Sequence, residues 1–380
     1  MRDLDRFRGC LLAGAAGDAL GYEVEFLPEE EIFRRLGGRG ITEYRLHNGV
    51  AEISDDTQMT LFTAAGLLWG TTEGRTRGIT GPYAGYIRLS YLDWLRTQEE
   101  SYPLRKKDPG AWEEPASWLT NLPALFHRRA PGNTCLSALR GGGKGTPEVP
   151  VNQSKGCGGV MRVAPIGLYF CDRKYGIEGS DRLGAEAAAI THGHELGWLP
   201  AAALTHVVRR LAENEEETVL SAVRDAMEML RAAYPRSDGA LALLSLLKRA
   251  VDLAGEEGDE LEAIHRLGEG WTGDEALAIA VYCALRHPKD LEKALIAAVN
   301  HGGDSDSTGA VTGNILGAAL GMKAIPQKFL DRLELKDTIL ELADDLYFDC
   351  PMTEPGSQLD RVWHDKYVTR QYPNGGSGKP

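Results

Sequence analysis

The chain has 380 residues, of which 43% are hydrophobic and 26% are charged, and these proportions are typical of a folded globular protein. Its formal net charge is −13 at pH 7. Because such a charge repels polyanions, it argues against nonspecific binding to nucleic acid or to an anionic membrane, although local donors can still hold a small anionic ligand.

Six cysteines are scattered along the chain without a Cys-x-x-Cys pair. This pattern predicts reduced thiols in the cytoplasm, and it is atypical of a disulfide framework or a zinc site. The charged first residues, 1–8, lack the apolar core of a signal peptide. The apolar run at 10–16 is too short to span a bilayer, so we expect a cytoplasmic protein that does not bind membranes.

Three segments rich in small residues are predicted to be buried helices: 13–17, 64–66 and 309–319. Glycine costs a helix about 1 kcal/mol relative to alanine, so its repeated use there needs a reason. A close approach of helix backbones, which a side chain would prevent, is such a reason. We therefore expect these segments to belong to the central helices that carry the functional site.

Residues 184–213 have helical spacing and are predicted to form two helices with a break at 197–200, where glycine and proline occur. Four further segments are expected to be helical, and Pro288 is expected to open the last of them: 215–233, 240–254, 274–286 and 289–299.

No segment shows a sustained alternation of apolar and polar residues, although short strands could lie at 41–46 or 148–151. Two segments rich in proline, glycine and charge are predicted to be irregular surface excursions, 102–118 and 140–155. Neither of them separates the chain into obvious domains. The prediction is therefore an all-α fold with a single domain and a flexible tail, at 1–370 and 371–380.

Two acidic residues, Asp18 and Glu25, lie within and just after the first helical segment. Asp18 interrupts an otherwise apolar run, and a buried carboxylate must be paired or hydrogen-bonded. We expect Asp18 to support the site structurally, and an indirect contact to a ligand is the alternative. Glu25 lies in a predicted loop, where it could reach a ligand or face solvent.

Two acidic clusters, each placed before a helical run, carry the strongest chemical signal: Ser54-Asp55-Asp56-Thr57 and Asp304-Ser305-Asp306-Ser307-Thr308. Each cluster could simply cap its helix, since acidic and hydroxyl side chains complement helix N-termini. Four carboxylates brought face to face would, however, repel one another unless cations neutralised them. We therefore predict a site for two divalent cations, Mg²⁺ or Mn²⁺, provided that the fold brings the clusters together.

A glycine-rich loop and a histidine pair are weaker signals. The loop at 156–159, Gly-Cys-Gly-Gly, precedes a segment at 163–168 that could begin a helix, and such loops bind anions through backbone N–H groups. Standing alone, such a segment is more often a merely flexible loop, and it is neither a Walker A sequence nor a Gly-x-Gly-x-x-Gly motif after a strand. His192 and His194 would point to different faces of a helix, so we expect at most one of them to contact a ligand.

Together these motifs resemble those of the ADP-ribosylglycohydrolase family, which includes dinitrogenase reductase-activating glycohydrolase and the ADP-ribosyl-acceptor hydrolases. The two acidic motifs are specific as a pair, and the glycine loop and the histidine support them. The matching pieces appear in family order between residues 9 and 320: Gly17-Asp18-Ala-Leu-Gly21, Ser54-Asp55-Asp56-Thr57-Gln-Met59, Gly158-Gly159-Val-Met-Arg162, Thr191-His192 and Gly302-Gly303-Asp304-Ser-Asp306-Ser307.

The resemblance implies a compact orthogonal multi-helix bundle whose cleft holds a binuclear Mg²⁺ or Mn²⁺ centre. Glu25 falls where some family members place a mobile glutamate near the substrate. Six residues are implied as metal ligands by their positions: Ser54, Asp55, Asp56, Asp304, Asp306 and Ser307. Contacts to ADP-ribose are implied for a diphosphate-binding loop and one histidine: Gly156, Cys157, Gly158, Gly159 and His192.

The implied reaction is hydrolysis of the glycosidic bond between ADP-ribose and an acceptor. The partner would be an ADP-ribosylated protein or another ADP-ribosylated acceptor, ADP-ribose would be the product, and we expect a monomer. Two alternatives come from other functional readings: a catalytically silent, crystallin-like binding protein, and a hydrolase of another ADP-ribosyl or nucleotide compound. The candidate catalytic residues are Asp55, Asp56, Asp304 and Glu25.

The chain departs from the family pattern in three respects. Ser54 and Ser307 stand where members commonly have threonine, and serine keeps the hydroxyl group. The segment 130–134, Ala-Pro-Gly-Asn-Thr, lacks the aspartate that some members carry in Asp-Ile/Val-Gly-Asn-Thr, which argues against a nitrogenase-regulator type of mechanism. The excursion at 140–155 leaves the acceptor open among arginine, serine, a nucleic-acid base and a small molecule.

Overall fold

A computed structural model describes residues 2–78, 81–104, 115–171, 177–352 and 360–373. In these ranges the chain forms sixteen α-helices and five short 3₁₀ segments, and its β-type pairings are three isolated bridges, so the predicted all-α class is confirmed. The helices are α1 (Leu4–Gly21), α2 (Glu29–Leu36), α3 (Asp55–Arg77), α4 (Tyr83–Glu99), α5 (Asn133–Arg140), α6 (Ala164–Phe170), α7 (Ile177–Ala189), α8 (Glu195–Glu213), α9 (Val219–Ala233), α10 (Asp238–Gly255), α11 (Glu260–His265), α12 (Gly273–Arg286), α13 (Leu291–Val299), α14 (Ser305–Leu320), α15 (Lys336–Phe348) and α16 (Arg361–Tyr367).

The fold is organised around α1 and α14, which run antiparallel in direct backbone contact. A Cβ atom placed on Gly17 would lie 2.1 Å from the carbonyl oxygen of Gly309, and one placed on Gly317 would lie 2.1 Å from that of Gly9. Both distances are far shorter than any carbon–oxygen contact in a close-packed interior, so only glycine fits at these two crossings. The predicted close approach of helices rich in small residues is therefore confirmed for this pair.

The antiparallel crossing brings the end of α1 to the beginning of α14. A Cβ atom on Gly21 would lie 2.2 Å from the carbonyl oxygen of Ser305. The beginning of α3 lies at the same place, because Asp18 accepts hydrogen bonds from the N–H groups of Ser54 at 2.9 Å and Thr57 at 3.0 Å. The two acidic clusters, distant in the chain, are thus neighbours in the fold.

The other helices surround this central pair. Helix α8 packs against α6, α7 and α12, α3 packs on α4, and α15 covers α1. Large aromatic side chains fill the spaces between these layers and are buried: Phe7, Phe62, Tyr91, Trp94 and Trp118. Removal of this apolar surface from water is the dominant contribution that stabilises the fold. Among the described helices, none is both long enough and apolar enough to cross a membrane.

The predicted break at 197–200 is wrong, because α8 continues without interruption through that segment. Pro200 removes one backbone donor, yet the residues around it are buried, and packing against α7 and α12 holds the helix together. The chain turns earlier, at 190–194. There the His194 ring accepts a hydrogen bond from the N–H of Leu196 at 3.0 Å and caps α8.

Pro288 does not open α13, contrary to the prediction. The helix begins three residues later, at Leu291. Asp290 caps it, because its carboxylate accepts a hydrogen bond from the N–H of Lys293 at 3.1 Å. A side-chain cap outweighs the preference of proline for a first helical position at this boundary.

The two short strands considered at 41–46 and 148–151 are absent from the described residues. The second segment begins in a turn that reciprocal backbone hydrogen bonds between Thr146 and Val149 close. Of the predicted tail at 371–380, residues 374–380 lie outside the described residues.

Two irregular surface excursions were predicted, at 102–118 and 140–155. In the segment 102–118, residues 105–114 lie outside the described residues. The segment 140–155 is irregular, as predicted, but it also contacts the interior. Asn152 donates a hydrogen bond to the carbonyl oxygen of Thr191 at 2.8 Å and accepts one from the N–H of Gly193 at 3.0 Å. It therefore braces the turn between α7 and α8.

Gly313 offers a direct test of the contact between α1 and α14, because a Cβ atom there would lie 2.0 Å from the carbonyl oxygen of Ala13. We predict that Gly313→Ala lowers the free energy of unfolding by about 3 kcal/mol, since the two helices must move apart and lose contacts. Urea unfolding monitored by circular dichroism measures the loss.

Gly255→Ala, at the end of α10, is the matched control, because its Cβ atom would meet nothing within 4 Å. This variant is expected to change the free energy of unfolding by less than about 1 kcal/mol. Equal stability of the two variants would contradict the backbone contact assigned to α1 and α14.

Candidate active site

Both acidic clusters and the glycine loop face one cleft of about 390 Å³. Five carboxylates and no lysine or arginine are among the described residues that line it. Two grooves elsewhere are larger, about 750 and 740 Å³, but in each of them basic side chains accompany the acidic ones. The unbalanced acidic lining, and not the volume, therefore distinguishes this cleft as the candidate active site.

Asp18 fixes the first turn of α3 from below the cleft. It is fully buried, and its carboxylate accepts hydrogen bonds from the Ser54 N–H and from both the N–H and the hydroxyl of Thr57. Burial, followed by the charge of Asp306, raises the pKa of Asp18 to about 7, while the donors from Thr57 and Ser54 act in the opposite direction. These contacts agree with the supporting role predicted for Asp18.

Ser54 caps α3, as the sequence predicts, because its hydroxyl accepts a hydrogen bond from the Asp56 N–H at 3.2 Å. Asp55 is held from the other side by the segment 130–134, where the Gly132 N–H donates to its Oδ2 at 3.3 Å. Capping does not account for Asp56. Its Oδ1 is buried and has no hydrogen-bond partner among the described residues.

The start of α14 repeats this arrangement. Asp304 is its N-cap, and the Ser307 N–H donates to Oδ1 of Asp304 at 3.3 Å and to Oδ1 of Asp306 at 2.9 Å. The backbone N–H of Asp304 donates to the carbonyl oxygen of Glu269 at 2.8 Å. The loop before α12 thus anchors the second acidic cluster.

Glu25 lies in the turn after α1 and points inward, which excludes the alternative that it faces solvent. Only 8% of its surface is exposed. Oxygens of Glu25, Asp304 and Asp306 all lie within 4.8 Å of one another, a spacing that one metal ion can bridge. Oε2 of Glu25 is buried without a hydrogen-bond partner in the described part of the chain.

Asp306 is the electrostatic centre of the cleft. Burial is the largest cause of a raised pKa at four neighbouring carboxyl groups, and the charge of Asp306 is the second: Glu25, Asp55, Asp56 and Asp304. The pKa of Asp306 is also raised by burial, but hydrogen bonds from its neighbours oppose the change. Without a cation, the neighbours of Asp306 therefore retain protons well above the usual pH range for carboxyl groups.

The donor set suits a divalent cation. The cleft offers carboxylate and hydroxyl oxygens, the ligands that Mg²⁺ and Mn²⁺ prefer. Two carboxylate oxygens, one on Glu25 and one on Asp56, are buried without a partner among the described residues. A bound cation would supply the missing partner and would replace the protons that the carboxyl groups otherwise retain.

The glycine loop lies across the cleft from the carboxylates, and residues 157–159 form a 3₁₀ turn. The thiol of Cys157 donates a hydrogen bond to Oδ2 of Asp304 at 2.6 Å. Three of the four backbone N–H groups in the loop are engaged within the protein: that of Gly156 with Ser154, that of Cys157 with the carbonyl oxygen of Trp271, and that of Gly159 in the i→i+3 hydrogen bond of the 3₁₀ turn. An anion would therefore meet the N–H group of Gly158.

His192 contacts the underside of this loop. It lies in the turn before α8, so the prediction that treated both histidines as helical is wrong. The reason is that α7 ends at Ala189 and α8 begins only at Glu195, after the His194 cap. A Cβ atom on Gly158 would lie 2.9 Å from Cε1 of His192, so the glycine leaves room for the ring beneath the loop.

The sequence interpretation missed the wall of the cleft formed by the loop before α12. Trp271 lines the cleft and stacks on Phe26 across its mouth, with ring centroids 6.2 Å apart. Both rings are unusually exposed for aromatic side chains, 40% and 68%. The nearby Gly268 and Gly270, both with positive φ, were the available signal, because closely spaced glycines mark a loop with a special backbone conformation.

Comparison with known proteins agrees with this geometry. The family model described as ADP-ribosylglycohydrolase matches residues 1–355. The chain belongs to the ADP-ribosylglycohydrolase family. Its relatives include ADP-ribosylhydrolase ARH3 of Mus musculus, 25% identical over 88% of this chain and 88% of the relative. ADP-ribosylarginine hydrolase Tri1 of Pseudomonas putida is 26% identical over 96% of this chain and 82% of the relative.

A solved ADP-ribosylglycohydrolase-related protein complex has the same fold. It is 25% identical, with a TM-score of 0.57, and the match covers 91% of this chain and 98% of that one. The resemblance predicted from the motifs is therefore confirmed, as is the prediction of an enzyme of the glycosyl hydrolase class. For this ADP-ribosylglycohydrolase, the roles of individual cleft residues remain predictions.

The crowding of carboxylates around Asp306 should make the cation-free protein less stable than an uncharged variant. We predict that Asp306→Asn raises the melting temperature in EDTA by roughly 3 °C, because the amide keeps the shape and removes the charge that opposes ionisation of four neighbours. Differential scanning calorimetry measures the shift.

Glu257→Gln is the control for this variant, since Glu257 is exposed and far from the cleft in the loop after α10. It removes one negative charge from the chain and should leave the melting temperature unchanged. A lower melting temperature for Asp306→Asn in EDTA would show that its carboxylate stabilises the protein without a cation.

Proposed function

We propose that this chain hydrolyses the glycosidic bond that joins ADP-ribose to an acceptor, that it releases free ADP-ribose, and that two divalent cations, Mg²⁺ or Mn²⁺, take part. The observation that carries the proposal is the convergence of both acidic clusters and Glu25 in one buried cleft. Buried carboxylates without partners destabilise a fold unless a bound cation neutralises them, so a purely structural role does not account for them.

Two sets of oxygen ligands would hold the cations. The first comes from the start of α3 and the second from the start of α14, with Glu25 beside the second set. Bound there, the cations would supply Lewis acidity towards ribose hydroxyls and water. The proposed ligands are Ser54, Asp55, Asp56, Asp304, Asp306 and Ser307.

The remaining chemistry falls to the chain itself. The bond between C1″ of the distal ribose and the acceptor breaks, the electron pair leaves with the acceptor, and water supplies the hydroxyl group that attaches to C1″. Positive charge develops at C1″ as this bond breaks, and the carboxylates of Asp55, Asp56 and Asp304 stabilise it. Glu25 accepts the proton of the attacking water through its unpartnered Oε2, which lies beside Asp304 and Asp306. This proton then passes to the departing acceptor, and the carboxylate of Glu25 is restored.

The diphosphate of the substrate is proposed to lie against the glycine loop. The N–H group of Gly158 donates to it, and His192 contacts it from below, while the paired N–H groups of Gly156, Cys157 and Gly159 hold the loop in place. Such local donors explain how a chain with a net charge of −13 can bind a diphosphate.

The acceptor is proposed to be a side chain of an ADP-ribosylated protein, with arginine as the first candidate. The relative from Pseudomonas putida is named for ADP-ribosylarginine. In this chain, the segment 130–134 presents no carboxylate to the cleft, and Ala130 adopts a left-handed conformation with φ of 50°. A mechanism that requires an aspartate in this segment is therefore not proposed.

We further propose that the protein is a monomer and is located in the cytoplasm.

A panel of substrates tests the function. ADP-ribosylated arginine, serine and thymidine are incubated with Mg²⁺, with Mn²⁺ and with EDTA, and released ADP-ribose is quantified by chromatography. We expect release from at least one substrate with a cation, and at least a 100-fold loss in EDTA because the carboxylates then retain protons.

Full activity in EDTA without residual bound metal would contradict the role of the cations. Tight binding of ADP-ribose without any turnover would instead indicate a catalytically silent binding protein. Formation of AMP and ribose phosphate would indicate cleavage of the diphosphate, and thus a different hydrolase.

Glu25→Gln tests the proposed base. The amide cannot accept a proton, so we predict a fall in kcat of about 100-fold or more with little change in KM. Glu23→Gln is the matched control, because Glu23 lies in the same turn but pairs with His47 outside the cleft. Equal losses in both variants would argue for disruption of the turn, and unchanged kcat in Glu25→Gln would remove Glu25 as the base.

A further inference from the structure

Arg162 is an arginine with no exposed surface and no carboxylate partner among the described residues. Its guanidinium lies over the Tyr91 ring at 4.4 Å. Nη2 donates hydrogen bonds to the carbonyl oxygen of Ala187 at 3.0 Å and to the hydroxyl of Thr191 at 2.6 Å. A buried, unpaired cation is unfavourable, so its placement calls for an explanation beyond packing.

The hydrogen bond from Arg162 to the Thr191 hydroxyl oxygen limits the acceptors to which that hydroxyl can donate. A guanidinium can only donate, so the Thr191 oxygen accepts from it. Two acceptors remain for the hydroxyl proton, Nδ1 of His192 at 2.8 Å and the carbonyl oxygen of Ala188 at 3.4 Å. That carbonyl oxygen already accepts the backbone N–H groups of Thr191 and His192. The shorter, unsaturated acceptor receives the proton, so Thr191 donates to Nδ1.

The consequence for the His192 ring follows from its charge state. Burial, followed by the charge of Arg162, lowers the pKa of His192 to about 3, so the ring is neutral at physiological pH. A neutral imidazole carries one proton. Since Nδ1 accepts a hydrogen bond, the proton resides on Nε2.

Nε2 is the atom that faces the glycine loop. A Cβ atom on Gly156 would lie 3.1 Å from it, and one on Gly158 would lie 3.3 Å from it. His192 also lines the cleft, and its Nε2 has no hydrogen-bond acceptor among the described residues. The N–H of Nε2 is therefore directed towards the space where an anionic ligand would meet the loop.

We propose that Arg162 is a positioning residue that acts through Thr191 and fixes His192 in the tautomer that donates from Nε2 to an anionic oxygen of the ligand. The identity of the ligand, a diphosphate, rests on the proposed function, whereas the tautomer does not. The arginine thus serves anion binding without touching the anion, and its own charge remains buried.

The tautomer is measured directly on the full chain labelled with ¹⁵N-histidine. Two-bond correlation spectra distinguish a protonated ring nitrogen from an unprotonated one, and the spectrum of His192→Phe assigns the signals. We expect a protonated Nε2 in the wild type, a mixture of tautomers in Thr191→Val, and the wild-type pattern in Thr191→Ser. A protonated Nδ1 in the wild type, or an unchanged tautomer in Thr191→Val, would overturn the proposal.

The effect on binding is measured by calorimetry with ADP-ribose and Mg²⁺. We expect Kd to rise about fivefold to tenfold in Thr191→Val, the equivalent of one hydrogen bond, and to return to within twofold of the wild type in Thr191→Ser. In a His192→Phe background, Thr191→Val should no longer change Kd. An equal loss in that background would overturn the proposal, because it would show that the threonine acts through structure alone.

Thr205→Val is the matched control. Thr205 is equally buried, in α8, and its hydroxyl has no hydrogen-bond partner among the described residues, so neither the tautomer nor Kd should change. If the wild type does not bind ADP-ribose, the proposed function fails, and the spectra of the Thr191 variants then decide whether the hydrogen bond from Thr191 fixes the ring.

Discussion

The hydrogen bonds between Asp18 and the first turn of α3 decide where the site is assembled. Asp18 lies on α1, and the backbones of α1 and α14 are in direct contact at their glycines, so anything attached to Asp18 is also placed relative to α14. The carboxylates of the two clusters repel one another and cannot provide this alignment. The glycine contacts between α1 and α14, and the hydrogen bonds from N–H groups of α3 to the Asp18 carboxylate, instead hold these charges together.

The carboxylates show that the cleft is built for binding at the expense of stability. The ionised form of each carboxylate would be more stable in water than in the cleft, and the charge of Asp306 further opposes ionisation of its neighbours. The residues one layer further out are held by hydrogen bonds within the protein, since Asp18 accepts from Ser54 and Thr57, and Arg162 donates to Ala187 and Thr191. Fixing of the groups behind a site by such internal bonds is typical of a preorganised site.

The sequence was sufficient for the features that depend on local chemistry. Ser54 and Asp304 were recognisable as helix caps, and the small residues of α1 and α14 indicated a close contact. The meeting of the two clusters was implied only by the family resemblance, since no local rule connects residues so far apart. The inward turn of Glu25 depends on the packing of α1 against α14, and sequence alone left it open.

Other features could not be predicted from the sequence, because tertiary contacts outweigh the local conformational preferences of the residues. Pro200 and Gly197 favour a helix break, yet buried packing on both sides carries α8 through them and moves the turn to His192. The loop that carries Trp271 is joined to the glycine loop and to Asp304 by backbone hydrogen bonds. Such bonds do not depend on the identity of the side chains, so the sequence pattern does not indicate them. The role proposed for Arg162 could not be predicted from the sequence, because it depends on the positions of Thr191 and His192 relative to the guanidinium.

The pairing of α1 with α14 also has a consequence for how the chain reaches its native state. Gly9 touches Gly317, so the central contact closes a loop that contains most of the polypeptide. Contacts between residues so distant in the chain form slowly, because the entropy of closing the loop is lost before any burial is gained. During synthesis on the ribosome, α1 must wait for its partner. The cleft can therefore form only after α14 has been synthesised, and cation binding would report the pairing of α1 with α14.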